Sequence, residues 1–351
     1  MDGVEVRTLI DGAQPAEDTA NALAAFIAAA EKTLEIAVYD FKLPPELEEI
    51  VCGALIAASK RGVAVRLAYN VDYRKDAPPV PPPPTTDPEA IEAMPFPTAA
   101  IPGVPDLMHH KYVVCDGAAV WTGSTNWTLD SWTREENVIV TVASPALAAR
   151  YLEDFEQLWS SRQVSHSGKV DTTPVAPGVA AWFCPRRGEK LAHRIASAIR
   201  SAERRIRIAS PVISNGSILT ALAQVASDRK IDLAGVVDAT QIAEVLQQWQ
   251  ENQRETGIPD AKGPLLRATL TGSPFSGKVT TPYAPGSVHD YMHAKVSVVD
   301  DTVFVGSFNL SHSGEMNAEN VLEFSDPGLA DLMAAFIDAV RGRYPAVSLR
   351  A

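Results

Sequence analysis

Two short strings in this chain carry side chains able to do chemistry, and they share a spacing. The first runs His109-His110-Lys111, then Asp116, then Gly123-Ser124-Thr125-Asn126; the second runs His293-Ala294-Lys295, then Asp300, then Gly306-Ser307-Phe308-Asn309. Each is His-x-Lys, with an Asp five residues past the Lys and Gly-Ser-x-Asn after a hydrophobic run. Histidine, with an ordinary pKa of about 6.5, can be a neutral base or nucleophile and also a cationic acid near neutrality. A lysine two residues along a strand projects from the same face, and its ammonium can stabilise developing negative charge. Asn126 and Asn309 can donate amide hydrogens to an oxyanion, with Ser124 and Ser307 hydrogen-bonding nearby. Two such histidines in one pocket make a complete nucleophile and proton donor.

Taken together, the strings resemble the signature of the phospholipase D superfamily, two-motif phosphodiesterases that work through a covalent phosphohistidine. The resemblance implies hydrolysis of a phosphodiester without a metal or other cofactor. It implies His109 as nucleophile and His293 as general acid and base, with Lys111, Lys295, Asn126, Asn309, Ser124 and Ser307 around the phosphate. Glu136 and Glu319 each lie ten residues past the motif Asn. They are expected to accept a hydrogen bond from an imidazole and fix its tautomer, a pairing that in this superfamily often crosses between the halves. Asp116 and Asp300 are expected to brace the motif hairpins. One departure stands out: six residues separate Asp116 from Gly123, but five separate Asp300 from Gly306. A residue lost from a turn leaves Asn309 in place, whereas one lost from a strand would invert the alternation; the turn is the expected place.

The elements that must hold these strings alternate. Strand patterns at 4–10, 34–39 and 63–69 are separated by helical patterns at 19–31 and 46–61, which predicts a largely parallel sheet with helices on its faces. Eleven prolines between 73 and 108 predict extended backbone rather than helix there. Hairpins are expected at 111–122, around Asp116-Gly117, and at 296–305, each followed by a strand (137–142, 321–324) and a helix (144–159, 327–341). Strands at 179–183, 205–209 and 231–237, with helices at 189–201 and 217–227, repeat the opening order. A long connection at 239–292 then leads to the second string. The chain therefore reads as an internal duplication. The expected fold is α/β: two similar phospholipase D-like domains, each a mixed sheet flanked by helices, related by a pseudo-twofold. Residues 1–160 form the first domain, 161–177 a polar linker and 178–351 the second.

Composition narrows the rest. With 46% hydrophobic residues in 351, the chain can fill the cores of two domains. A formal charge of −12 argues against a protein that coats nucleic acid, which requires cationic phosphate contacts. Three cysteines without ligand-like spacing, no basic-then-apolar start and no apolar run of about 18 residues point to a cytoplasmic protein. No carboxylate and histidine cluster has metal-ligand spacing. His110, His166, His193, His289 and His312 are read as structural, Tyr39 and Phe183 as core in preference to walls of the cleft, and Trp127 and Trp132 as exposed candidates for touching substrate.

The substrate is read from charge. The connections 73–108 and 239–292, expected to roof the site, hold fewer Lys and Arg than Asp and Glu. A nucleic-acid groove would be basic and lined with stacking aromatics. A phospholipid diester is therefore the first expectation, with peripheral membrane contact and a monomer whose halves form an intramolecular pseudo-dimer. The alternatives are an endonuclease-type enzyme on DNA or RNA, which the Gly-Ser-x-Asn-x-Thr tail resembles, or a phosphatidyltransferase. Two intact His-Lys-Asn sets argue against a binding protein on a dead scaffold.

Overall fold

The first half opens with β1 (Val4–Leu9), α1 (Ala16–Ala28), β2 (Thr33–Val38), a two-residue strand β3 (Phe41–Lys42), α2 (Pro45–Lys60) and β4 (Ala64–Val71). The computed structural model describes residues 3–71, 86–282 and 287–348. Thr19, Leu23 and Ile27 fall on the buried face of α1 at helical spacing. That helix starts three residues before the expected position, since Glu17 and Asp18 in its first turn suit the positive end of the helix dipole. Gly62, at φ 92°, ends α2 in a conformation open to glycine.

Part of the proline-rich stretch is regular after all. α3 (Pro88–Glu92) places its proline at the first helical position, where the missing N–H costs nothing, and Asp87 caps it through the Ala90 N–H at 3.1 Å. β5 (Thr98–Pro102) is an edge strand, the one place in a sheet where proline loses no ladder bond. Prolines 81–84 lie outside the described residues. The half closes with β6 (Lys111–Cys115), β7 (Ala119–Gly123), a short β8 (Trp127–Thr128), α4 (Leu129–Thr133), β9 (Asn137–Ala143) and α5 (Pro145–Ser161). Its seven-stranded sheet runs β1-β9-β7-β6-β2-β4-β5. Only β2, β4 and β5 pair in parallel, so the sheet is mixed rather than largely parallel.

The second half repeats this plan. β10 (Val179–Phe183), α6 (Gly188–Arg200), β11 (Arg205–Ser210), α7 (Gly216–Asp228) and β12 (Asp232–Asp238) follow the expected order. The long connection at 239–292 contains α8 (Ala239–Thr256), α9 (Lys262–Gly272) and β13 (Phe275–Lys278). α8 buries little besides Ile242 and Leu246, so its sequence carries almost no apolar period. Then come β14 (Val296–Val299), β15 (Thr302–Gly306), α10 (His312–Met316), β16 (Asn320–Ser325) and α11 (Pro327–Arg341). The sheet order β10-β16-β15-β14-β11-β12-β13 matches the first, strand for strand.

The shorter second motif loses its residue in the turn. Cys115 pairs with Ala119 across three residues, Val299 with Thr302 across two. The pair four residues past each histidine is Val113↔Trp121 in one hairpin and Ser297↔Phe304 in the other. Asn126 and Asn309 each lie five residues beyond that pair, so the alternation is intact.

One continuous core joins the halves. Tyr112, Tyr151 and Phe155 from the first pack in the same cluster as Phe183, Met333 and Ile337 from the second, with Tyr151 edge-on to Phe183 at 4.9 Å. The polar segment between the halves is ordered against it: Val164, Ser167 and Val170 are buried, and the Gly168 N–H donates to Asp154 Oδ1 at 2.8 Å.

Asp116 and Asp300 are the anchors of the motif hairpins. Asp116 accepts from the backbone N–H groups of Glu31, Lys32 and Thr33 at 2.7–2.8 Å, and Asp300 from those of Glu203, Arg204 and Arg205 at 2.8–3.0 Å. Burial pushes each carboxyl up, but the three donors outweigh it and hold both below the usual carboxylate range. Stability from such a depressed group is present above the ordinary carboxylate pKa of about 3.9 and is lost as pH falls through the folded value. Asp116→Ala and Asp300→Ala should each cost about 1–3 kcal/mol at pH 7 and should make unfolding less acid-sensitive. Urea midpoints equal to the parent's would contradict this bracing.

Candidate active site

The two motif strands begin at the seam between the halves, each tied there by the backbone of the other half. The His109 N–H donates to the Ala318 carbonyl at 2.9 Å, and the His293 N–H to the Glu136 carbonyl at 3.2 Å. Isolated bridges Met108↔Ala318 and Glu136↔Met292 mark the same crossings. Both histidines are buried, and both feel both lysines electrostatically, so the two strings share one pocket.

Each imidazole is held by the opposite half. His109 Nδ1 lies 2.8 and 2.9 Å from the two Glu319 oxygens. His293 Nδ1 lies 3.1 Å from Asn137 Oδ1 and 3.3 Å from Glu135 Oε2. The expectation that Glu136 orients His293 is therefore corrected. Its buried carboxylate accepts instead from Lys278 Nζ at 3.0 Å and from the Tyr344 hydroxyl. The reason is a shift of register. Ser124 N–H donates to the Val138 carbonyl and Ser307 N–H to that of Asn320, which makes Val138 the counterpart of Asn320, Asn137 that of Glu319, and Glu136 that of Ala318. The first half carries one extra residue ahead of β9, so counting ten from each Asn matched the wrong pair.

The serines do not face a substrate. Ser124 Oγ donates to Asn137 Oδ1 at 2.6 Å and accepts from Val138 N–H at 3.0 Å. Ser307 Oγ accepts from Asn320 N–H at 3.0 Å and hydrogen-bonds Glu319. Both are fully buried. Each motif serine thus braces the residue that orients the other half's histidine.

Lys111 Nζ donates to the His109 carbonyl at 2.8 Å and Lys295 Nζ to that of His293 at 2.6 Å, which stations each ammonium beside its own histidine. Tyr39, expected in the core, is only half-buried and forms a wall. Its ring stands edge-on to His109 at 4.8 Å, with the Lys111 ammonium 4.8 Å from its centroid. The Oδ1 atoms of Asn126 and Asn309 are buried without a hydrogen bond among the described residues. Trp127 and Trp132, expected to be exposed, are buried: Trp127 packs on Phe41, and Trp132 Nε1 donates to the Asn126 carbonyl at 2.8 Å. They support the motif from behind. Phe183 is core. His110 faces away from the pocket, between Asn320 Oδ1 at 3.2 Å and Asp154 Oδ2 at 3.0 Å.

Burial dominates the electrostatics. Desolvation first, then the charges of both lysines, hold His109 and His293 well below the ordinary histidine value. Desolvation also lowers Lys111 to about 7, with Glu319, Asp40 and Glu135 opposing it. Lys295 is lowered too, by burial and then by Lys111. The same burial raises Glu135 and Glu319 to about 7 against the pull of the lysines. A dry pocket penalises every charge it holds, and an entering anion would raise both lysines and both histidines. Among the described residues no group of three or more His, Cys, Asp or Glu is placed to hold a metal, and no helix is long and apolar enough to cross a membrane.

Sequence reasoning missed Glu135, Asn137, Lys278 and Tyr344, and held the cleft wall as the lesser reading of Tyr39. The one available signal was the string Glu135-Glu136-Asn137 against Ala318-Glu319-Asn320, which places an extra carboxylate in the first half.

The chain is similar to several known proteins. The sequence model of the family described as "Cardiolipin synthase, PLD-like domain" matches residues 23–159 and 195–340. A protein named mitochondrial cardiolipin hydrolase, from Xenopus tropicalis, is 30% identical over 135 residues, 37% of this chain and 56% of that protein. The chain spans about half the length of the curated relatives it matches. The crystal structure of phosphatidylserine synthase from Haemophilus influenzae superposes with a TM-score of 0.64 over 97% of this chain and 86% of that one, at 13% identity. That of a polyphosphate kinase from Porphyromonas gingivalis gives 0.57 over 95% and 50%, also at 13%; both likenesses concern the fold alone. With a family match over both repeats and two facing histidine motifs, the chain belongs to the phospholipase D-like family.

Proposed function

We propose that this chain is a phosphodiesterase of the phospholipase D type, cleaving a phospholipid diester through a phosphohistidine and without a metal. The observation that carries the reading is reciprocal: each motif histidine turns Nδ1 toward an acceptor on the other half and keeps a lysine beside it. With Nδ1–H donating to Glu319, His109 keeps a lone pair on Nε2 for attack. Its partner is a bidentate carboxylate, whereas Nδ1 of His293 meets a neutral amide first. That difference supports His109 as the more basic ring and His293 as the proton carrier.

His109 Nε2 attacks phosphorus as the bond to the leaving oxygen breaks, and that oxygen takes a proton from cationic His293. Water then attacks the phosphohistidine and gives its proton to His293, and the P–N bond breaks. Lys111, Lys295 and the Asn126 and Asn309 amides stabilise the charge on the non-bridging oxygens. The name borne by the curated relatives supports the lipid reading, as does the acidic chain.

His109→Ala and His293→Ala should each lower turnover of bis(p-nitrophenyl) phosphate by about 10⁴-fold or more, and only His293→Ala should still trap a phosphoenzyme. Cardiolipin, phosphatidylcholine and single- and double-stranded DNA, each with EDTA, form the substrate panel. Cleavage of DNA but of neither lipid would overturn the lipid assignment, and loss of activity in EDTA the metal-free one.

The proton inventory has a sign. Glu135 holds its proton below about 7 and releases it above, so the Glu135–His293 pair is loaded on the acid side and emptied on the alkaline side. The kcat/KM profile should fall above about pH 7 for that reason, and Glu135→Gln should move this alkaline limb. An unmoved limb would remove Glu135 from the proton path.

A further inference from the structure

Neither motif contains the groups that anchor the residue just before each histidine. The backbone N–H of Met108 donates to Asn70 Oδ1 at 2.9 Å, and that of Met292 donates to Asp238 Oδ2 at 3.2 Å. Asn70 and Asp238 occupy one position of the duplicated fold. Val38 faces both Lys111 and Tyr69; in the second half Ser210 faces Val237, one step past the pair Ala209↔Val296. Asn70 follows Tyr69 and Asp238 follows Val237. Each side chain therefore reaches from the end of a parallel strand, across the end of its neighbour, to the start of a motif.

Both side chains are fully buried, as are Met108 and Met292, so water cannot substitute for the acceptor. The neighbouring positions have diverged: Tyr69 and Val71 stand where the second half has Val237 and Ala239. The side-chain oxygen is retained through different chemistry, amide in one half and carboxylate in the other. The second half explains its carboxylate. Asp238 Oδ1 also caps α8 through the Gln241 N–H at 3.0 Å, and the Thr280 hydroxyl donates to both oxygens. Two oxygens are needed where two backbone donors converge. The first half has cleared room for its amide, since a β-carbon on Gly103 would lie 2.3 Å from Asn70 Oδ1.

We propose that Asn70 and Asp238 are positioning residues, each setting one histidine by fixing the backbone of the residue before it. Asn70 aims His109 at Glu319, and Asp238 aims His293 at Asn137 and Glu135. Their importance for catalysis rests on His109 and His293 being the reacting groups.

The test uses the full chain with Asn70→Ala, Asn70→Asp and Asp238→Ala, followed by ¹⁵N NMR of the histidine rings. Asn70→Ala should shift the Nδ1 signal of His109 and leave that of His293, and Asp238→Ala should do the reverse. Asn70→Asp, which installs the acceptor the second half uses, should restore the His109 signal. On bis(p-nitrophenyl) phosphate each alanine variant should lose about tenfold or more in kcat with KM nearly unchanged, and Asn70→Asp should recover most of it. Folded alanine variants with parental ring signals and parental kcat would overturn the proposal, as would both histidines shifting together in either variant. Should one alanine variant fail to fold, the other tests the same claim in its own half. If the parent cleaves no diester, the functional reading fails, but the lobe-selective ring signals still decide the positioning role.

Discussion

The site depends on one constraint: two imidazoles and two ammonium groups are buried together at a seam, and each imidazole Nδ1 meets its partner on the other half. The backbone crossings from His109 to Ala318 and from His293 to Glu136 hold that seam shut. They place the start of each motif strand against the start of the other half's last strand. Everything polar in the pocket then follows from proximity. Glu319 meets His109, while Asn137 and Glu135 meet His293, and the motif serines lock these partners from behind.

Burial of this kind is costly unless the charges are mutually satisfied. Here they are balanced only in part, and the imbalance suits a pocket that awaits an anion. The same desolvation lowers two lysines and raises two carboxylates. A bound anion would bring the missing negative charge. The surrounding fold absorbs the cost through the core shared by the two sheets and through the polar set around His110, Asp154, Asn320 and Tyr151.

Duplication gave the two halves one plan, and divergence has made their histidines unequal. An extra residue before β9 puts an amide where the second half has a carboxylate, and Glu135 beside it. The displaced Glu136 would be a stranded buried charge without Lys278 and Tyr344, which clamp it from the second half. Lys278 also meets Asp11 at 3.1 Å and the Arg134 carbonyl at 2.8 Å. This asymmetry gives His109 a carboxylate partner and His293 an amide with a carboxylate beside it.

The sequence by itself determined the duplication, the order of most elements and the identity of the two His-Lys-Asn sets. These are local properties: alternation, helical period, turn residues and fixed spacing within a hairpin. The resemblance marked Asp116 and Asp300 as hairpin braces, but their backbone donors lie 83–97 residues away and are brought in by the fold. Tertiary structure alone decided which carboxylate meets which histidine, because that depends on register across a seam between residues some 150–210 apart in sequence. A one-residue insertion, harmless to every local pattern, reassigned Glu136 from imidazole partner to structural ion pair. Lys278, Asn70 and Asp238 were equally silent. Each acts on a residue distant in the chain, and a side chain's reach across strand ends leaves no periodic trace.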